Sequence, residues 1–344
     1  MAGPGPKNSL TDITGLLVGQ AEDAAARTGV SVILPQMRVA ASVDVRGGGP
    51  GTRETELLRP EAMVPAIDAI CLAGGSVYGL DAASGVVQWL ARHGRGLKVH
   101  SHTVPIVPAA ILFDLMNGGD KDWPKDDAAE TPYRRLALAA CDAASADAVA
   151  LGNAGAGYGA AAGKLKGGLG CASWVEDDGL IVAALVAANP VGSVLTPGNK
   201  GFWAAPFEQG GEFGALPAPP PREVPATLPA EARIGGHTCI GVVATNAALD
   251  KAALRHVATM AHDGLARAIR PVHTPFDGDT LFSLSAANWP DQTAEQKAGG
   301  SLLPLLIARI GSIAADCVAR AVGRAVWQAE PLGALDTARK VARE

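Results

Sequence analysis

The chain has 344 residues, 48% hydrophobic and 18% charged, with 29 basic against 34 acidic side chains and a net charge of −5. It is long enough to bury a full core, and its 42 Gly and 24 Pro exclude a helical bundle. Mild acidity without a Lys/Arg cluster excludes a dedicated nucleic-acid binder. No apolar signal core is expected in the opening MAGPGPKNSL, so the expectation is a soluble cytoplasmic protein.

In chain order, apolar runs bounded by Gly, Pro, Asn or Asp predict strands over Gly29–Leu34, Val39–Val45 and Ala66–Leu72. Helical periodicity follows at Gly79–Arg92 and Tyr133–Ala144. A strand over Leu180–Ala188 precedes Ala215–Pro229, where six prolines forbid regular structure and predict an extended surface loop or linker. Next come Gly235-Gly236-His237-Thr238 and a buried-strand pattern at Cys239–Ala244. Helix Lys251–Ile269, N-capped by Asp250, leads to a strand over Leu281–Ala286. The last helix, Ser301–Ala329 with Ser301 as N-cap, carries Arg309, Asp316, Arg320 and Arg324, and is expected to lie in a core rather than a membrane. Strands and helices interleave as in an α+β or layered sandwich, and no internal repeat is found.

Several patterns carry candidate chemistry. The five Cys form no CxxC pair, which argues against a disulfide framework or a zinc knuckle. Gly152–Gly170 fails as a phosphate loop, because Tyr158 and Leu165 occupy positions that need Gly and Ser/Thr. Within it Gly155-x-Gly157-x-x-Ala160, with Glu176 beyond, matches a loose dinucleotide fingerprint; the alternative is tight turns in which backbone approaches backbone. His100-x-His102 offers two imidazoles from one strand face, but no matching ligand set exists, so no metal and no cofactor are expected. In Phe276-Asp277-Gly278-Asp279-Thr280 two carboxylates point the same way if the strand pattern already holds. They read as a solvated turn or as an acid pair that orients a nucleophile. No Gly-x-Ser-x-Gly elbow is present. Thr238 at the head of a strand is an ordinary strand residue, or a nucleophile whose own freed α-amine, with a pKa of about 7.7–8.0, serves as its base.

Taken together, DVRGGGPG (Asp44–Gly51), ICLAGGSVYGLDAASG (Ile70–Gly85), GAGYGAAAGK (Gly155–Lys164), NPVG (Asn189–Gly192), GHTCIGVVATN (Gly236–Asn246) and HTPFDGDTLF (His273–Phe282) occur in an order that resembles one family. It is the self-cleaving, N-terminal-nucleophile-like amidohydrolases, which include β-peptidyl aminopeptidases, L-aminopeptidase/D-esterases and nylon-oligomer (6-aminohexanoate-oligomer) endohydrolases. The likeness is strongest to the nylon-oligomer branch. It implies one αββα sandwich domain over 1–344 that cuts itself into 1–237 and 238–344. By the same resemblance Thr238 is the nucleophile and Asp277 and Asp279 orient it. Asn189 donates to the oxyanion and Lys164 stabilises charge. Homo-oligomers of the cut pair are implied as well.

Two positions depart from the family pattern. Residue 237 is His where the nylon hydrolases have Asn and aminopeptidase relatives often have Gly. Phe113 stands where the nylon hydrolases carry Tyr, and Tyr78 or Tyr158 are the candidates to replace that hydroxyl at the substrate. The expected activity is endo-hydrolysis of linear amides. The alternatives are an aminopeptidase for β-amino or D-amino substrates, a dinucleotide-binding oxidoreductase and an uncut, non-enzymatic relative.

Overall fold

The structure, a computed structural model, describes residues 2–123, 130–198, 201–216, 236–297 and 300–343. Fourteen strands appear among them: β1 Leu16–Asp23, β2 Thr28–Pro35, β3 Ala40–Val45, β4 Thr52–Arg53, β5 Ile70–Ala73, β6 Leu97–Val99, β7 His102–Val104, β8 Ala109–Ile111, β9 Ala161–Ala162, β10 Leu165–Lys166, β11 Gly168–Val175, β12 Ile181–Ala188, β13 Ile240–Thr245 and β14 Thr280–Ser285. The helices are α1 Ala82–Arg92, α2 Tyr133–Asp142, α3 Lys251–Ala268, α4 Ala294–Lys297, α5 Leu303–Trp327 and α6 Ala338–Val341. All six expected strands and all four expected helices are present. The proline-rich stretch lies, from residue 217 onward, outside the described residues, as does Gly235.

Two five-stranded sheets form, in the orders β1-β2-β5-β8-β4 and β11-β12-β13-β14-β3. Each runs antiparallel, antiparallel, parallel, antiparallel across its width. A parallel pair needs a crossover, and each pair has a helix on its crossover: α1 between β5 and β8, α3 between β13 and β14. So a topological repeat exists that no repeated sequence announces.

Strand alternation distributes the apolar side chains over three cores. On β12, Ala183, Leu185 and Ala187 join Ile33 and Leu72 of the first sheet in one cluster. Val182, Ala184 and Val186 face the other way, onto Leu254 and Val257 of α3 and Val318 and Val322 of α5. Val30 and Val32 of β2 pack on Val86 and Leu90 of α1 and Leu136 and Ala140 of α2. Strands covered on both faces read as continuous apolar runs, which is why β2, β12 and β13 were visible in the sequence.

β11 was not, because its glycines serve packing. A Cβ at Gly170 would sit 1.9 Å from the carbonyl oxygen of Ala321, and one at Gly168 would sit 2.5 Å from that of Ala325. Helix α5 therefore lies directly on the strand's backbone. Asp250 caps α3 by accepting from the Ala253 N–H at 2.8 Å, whereas the N-cap position of α5 falls on Leu302, one residue past the expected Ser301, with Pro304 in the first turn. Arg320 of α5 is only 2% exposed and its charge is met by Glu212 at 2.6 Å, with further bonds to the Ser173 carbonyl and Asn8 Oδ1. No helix among the described residues is long and apolar enough to cross a membrane. Gly170→Ala is expected to lower the unfolding free energy by about 1–3 kcal/mol, read as a shift in the urea midpoint, since neither the strand nor the Ala321 carbonyl can yield freely.

Candidate active site

Three strand ends meet at Thr238. β12 stops at Ala188, and the next carbonyl, that of Asn189, accepts the Thr238 N–H at 2.8 Å. β13 and β14 are parallel, so the residues ahead of them also lie side by side. The Cys239 carbonyl accepts the Thr280 N–H at 2.9 Å, and the His237 carbonyl accepts the Gly278 N–H at 3.0 Å. The Thr238 hydroxyl donates to that same His237 carbonyl. In this continuous chain Thr238 is 2% exposed.

The two acids predicted from the sequence flank this point. Asp277 Oδ2 accepts from the Thr274 amide (2.9 Å) and hydroxyl (2.6 Å), and its Oδ1 accepts from the Val191 amide (3.2 Å). Asp279 Oδ1 accepts the Cys239 N–H at 2.7 Å, and its Oδ2 lies 2.7 Å from His273 Nδ1. Burial raises the Asp279 carboxyl above the usual range; the His273 hydrogen bond opposes this and the Asp277 charge adds to it. Burial likewise lowers the His237 imidazole, with Asp277 opposing, and pushes the Cys239 thiol far up. The turn reading of 276–280 gives way to a buried pair that clamps loop to strand.

Asn189 ties the site to the first sheet's side. Its Oδ1 accepts the Ala161 N–H at 2.8 Å and its Nδ2 donates to the Phe113 carbonyl at 3.1 Å. A primary amide has two N–H groups, so one remains for a ligand. Segment 112–117 in turn receives the other candidate residues. Ser76 N–H, opening the short turn that carries Tyr78, donates to the Leu112 carbonyl, and Asn117 donates to the carbonyl of Gly159, next to Tyr158. Phe113 and Tyr158 are half-buried, and Tyr78 is exposed, edge-on to Trp123 at 6.2 Å.

Lys164 stands exposed in the turn between β9 and β10. The turn touches the site through Gly163, whose N–H donates to the Pro190 carbonyl at 3.0 Å. The buried lysine is Lys166, two residues on. Its ammonium donates to the carbonyls of Gly167 (2.8 Å), Ala160 (3.0 Å) and Gly157 (3.4 Å), and burial pushes it down to about 7. The sequence reading passed over Lys166 and also His273. The signal for His273 was available, since it opens the same HTPFDGDTLF segment as the acids.

The other motifs resolve as packing. Gly155 has φ +44°, and a Cβ there would meet Ser31 Oγ at 2.1 Å; one at Gly157 would meet the Leu169 nitrogen at 2.2 Å. Glu176 pairs with Arg309 at 2.8 Å. The dinucleotide fingerprint is therefore a set of close backbone approaches, and the oxidoreductase reading loses its residues. His100 turns left-handed, φ +51°, between β6 and β7, so it does not share a strand face with His102. No group of three or more His, Cys, Asp or Glu is placed to hold a metal among the described residues.

Residues 8–339 match Peptidase family S58, and the chain belongs to that family. It is a hydrolase acting on amide bonds. An uncharacterized aminopeptidase of Mycobacterium tuberculosis (strain ATCC 25618 / H37Rv) is 44% identical over 347 residues, 96% of this chain and 97% of its own. A 6-aminohexanoate-oligomer endohydrolase of Paenarthrobacter ureafaciens is 29% identical over 330 residues, 90% of this chain and 84% of its own. Among solved structures, the L-aminopeptidase D-Ala-esterase/amidase of Ochrobactrum anthropi superposes with a TM-score of 0.71 at 23% identity, covering 100% of this chain and 95% of its own. A Burkholderia sp. beta-aminopeptidase gives 0.71 at 22% identity, covering 100% and 94%. The Ochrobactrum structure is described as a new variant among the Ntn hydrolase fold, and this chain shares its fold.

Asp277 holds three donors, so Asp277→Ala leaves the Thr274 and Val191 groups unpaired. The expected cost is about 1–3 kcal/mol per buried donor left unsatisfied, read as a lowered melting temperature.

Proposed function

We propose that the chain cuts itself between His237 and Thr238, and that the freed Thr238 is the nucleophile of an amide hydrolase working through an acyl-enzyme. The observation that carries this reading is the pairing of the Thr238 hydroxyl with the carbonyl of His237, which also accepts the Gly278 N–H. Nucleophile and polarised electrophile are adjacent before any cut. The hydroxyl oxygen adds to the His237 carbonyl carbon, the peptide C–N bond breaks and the nitrogen takes up a proton. Water then cleaves the resulting ester, leaving a carboxylate on His237 and a free amine on Thr238.

In turnover the Thr238 oxygen attacks a substrate amide and its own amine accepts the proton. Asp277 and Asp279 orient that amine. The spare Asn189 N–H donates to the developing oxyanion, Lys164 adds positive charge from the rim, and Tyr78, Phe113 and Tyr158 line the approach of the acyl chain. Lys166, spent on three carbonyls, stiffens the turn that faces Asn189. The three cores support an αββα layering, with helices outside two facing sheets. Exposed Met37, Met63, Met116 and Leu305 supply apolar surface for a homo-oligomer of the cut pair.

For substrate, the reading is endo-hydrolysis of linear amides such as 6-aminohexanoate oligomers. Its support is that Asp277 and Asp279 are occupied with backbone donors and His273, which leaves them poorly suited to cap a substrate ammonium. An aminopeptidase acting on β-amino or D-amino compounds is the second reading, favoured by the name of the 44% identical relative.

Intact mass under denaturing conditions tests the nucleophile. Wild type is expected as two pieces, the smaller beginning at Thr238, and Thr238→Ala as a single 344-residue chain; an uncut wild type would overturn the reading. A 6-aminohexanoate oligomer acetylated at its amino end separates the substrate readings. The endo reading expects internal cleavage of it at a rate close to that of the free oligomer, whereas an aminopeptidase would lose it.

A further inference from the structure

Behind Asp279 the structure places two histidines that the mechanism has not used, His262 buried and His273 half-buried. His273 brings Nδ1 to 2.7 Å from Asp279 Oδ2, and its own backbone N–H reaches the same oxygen at 3.3 Å. Its ring stands edge-on to that of His262 on α3, with centroids 4.8 Å apart and planes at 69°. His262 is wholly buried and sits 3.0 Å from the Asp44 carbonyl. His273 Nε2 and His262 Nδ1 are buried without a hydrogen-bond partner.

This arrangement is expensive for the fold. His273 has φ +54°, a region non-glycine residues seldom occupy. That twist is what lets both its amide and its ring reach one carboxylate oxygen. A loop that only had to close would not need a residue here with a buried, unpaired ring nitrogen. The geometry therefore assigns His273 a task at Asp279.

We propose that His273 is the positioning residue of Asp279: its Nδ1–H holds one carboxylate oxygen, keeping Asp279 an ionised, acceptor-only group whose other oxygen, held by the Cys239 N–H, serves the adjoining Thr238 amine once the cut frees it. This rests on the Thr238 reading above. Once the cut is made, a carboxylate accepts an N–H from the new amine and leaves its lone pair directed at the hydroxyl. A protonated Asp279 would instead donate to that lone pair and remove the base.

The groups around the pair define the balance. Asp277 on the same loop and burial both favour protonation of Asp279, while His273 and the Cys239 N–H oppose them. Just ahead of β13 lie the neutral thiol of Cys239, beside Asp279, and the His237 imidazole, lowered by burial and beside Asp277. From α3 comes His262, pushed down to about 4 by burial and hence uncharged. Asp44 of β3 pairs at 2.9 Å with both Arg46, in the loop that follows, and Arg255 of α3, a trio that carries one net positive charge on the far side of His262. His273 is thus the donor on which the carboxylate depends.

Two substitutions separate donor from backbone. His273→Gly suits a positive φ and removes the donor; His273→Asn suits it too and supplies an amide N–H where Nδ1–H stood. The Gly variant is expected to cut itself and turn over about tenfold or more slowly, with KM little changed. Its acid limb should move up by about one pH unit or more, because losing a donor to the charged form raises the Asp279 pKa. The Asn variant is expected to restore both the rate and the limb. A Gly variant with wild-type rate and limb, or an Asn variant no better than Gly, overturns the proposal. If the Gly variant does not fold, the imidazole nitrogens of His273 in the intact Thr238→Ala chain decide by NMR. A proton on Nδ1 across the plateau of the rate profile supports it and a bare Nδ1 overturns it. An uncut wild type would remove the Thr238 reading and this one with it; a cut wild type beside an unaffected Gly variant removes this one alone.

Discussion

The site depends on the parallel pairing of β13 with β14. Parallel strands start at the same end, so whatever precedes them is brought side by side. Here the residues ahead of β13 are His237, Thr238 and Cys239, and those ahead of β14 are Asp277, Gly278 and Asp279. The ladder continues into both leaders: Thr280 N–H to Cys239 carbonyl, then Gly278 N–H to His237 carbonyl. A hydroxyl and two acids distant in sequence become neighbours with no loop needed to reach across. The cost is a long crossover, supplied by α3, whose apolar stripe also closes one of the three cores.

The sheets behind that pairing explain why the site is held so firmly. Strands of the two sheets share one apolar cluster, α3 and α5 pack on β12 and α1 and α2 on β2, so a strand end has little freedom to shift. Asn189 is fixed on three sides, by Thr238, Ala161 and Phe113. Asp277 and Asp279 satisfy backbone donors from Val191 to Cys239. In a dry environment such carboxylates do not wander, because each lost bond would strand a buried donor.

Much of this was legible in the residues themselves. Strands β12 and β13 are nearly continuous apolar runs, β2 and β14 are apolar with a serine inside, and α3 announces its start with Asp250. The acids Asp277 and Asp279 stood out by their spacing, and their agreement with Thr238 came from family resemblance rather than periodicity. What stayed hidden has physical reasons. β11 looks like a loop because its glycines make room for α5, information that lies in Ala321 and Ala325 rather than in the strand. β8 is too short to show alternation. The two lysines of GKLKGG cannot be told apart until β9 and β10 pair, which turns Lys164 out and Lys166 in. His273 could be read as part of HTPFDGDTLF, but not its contact with Asp279, which is reached by a left-handed twist rather than along a strand.

The strand order of the second sheet has one more consequence. Read by chain position, β11 and β12 lie upstream of residue 237, β13 and β14 downstream, and β3 upstream again. A cut at that point would leave one polypeptide's strands sewn between those of another, with the Arg320–Glu212 pair as a further stitch. The downstream fragment has no full sheet of its own to fall back on, since β13 and β14 pair otherwise only with the upstream β12 and β3. Folding would be unimolecular before the cut and bimolecular after it, so a mature molecule that unfolds must find its other half in solution, at a rate set by concentration. Such a protein assembles once, as a single thread, and afterwards keeps a shape that its two separate threads have no direct route to regain.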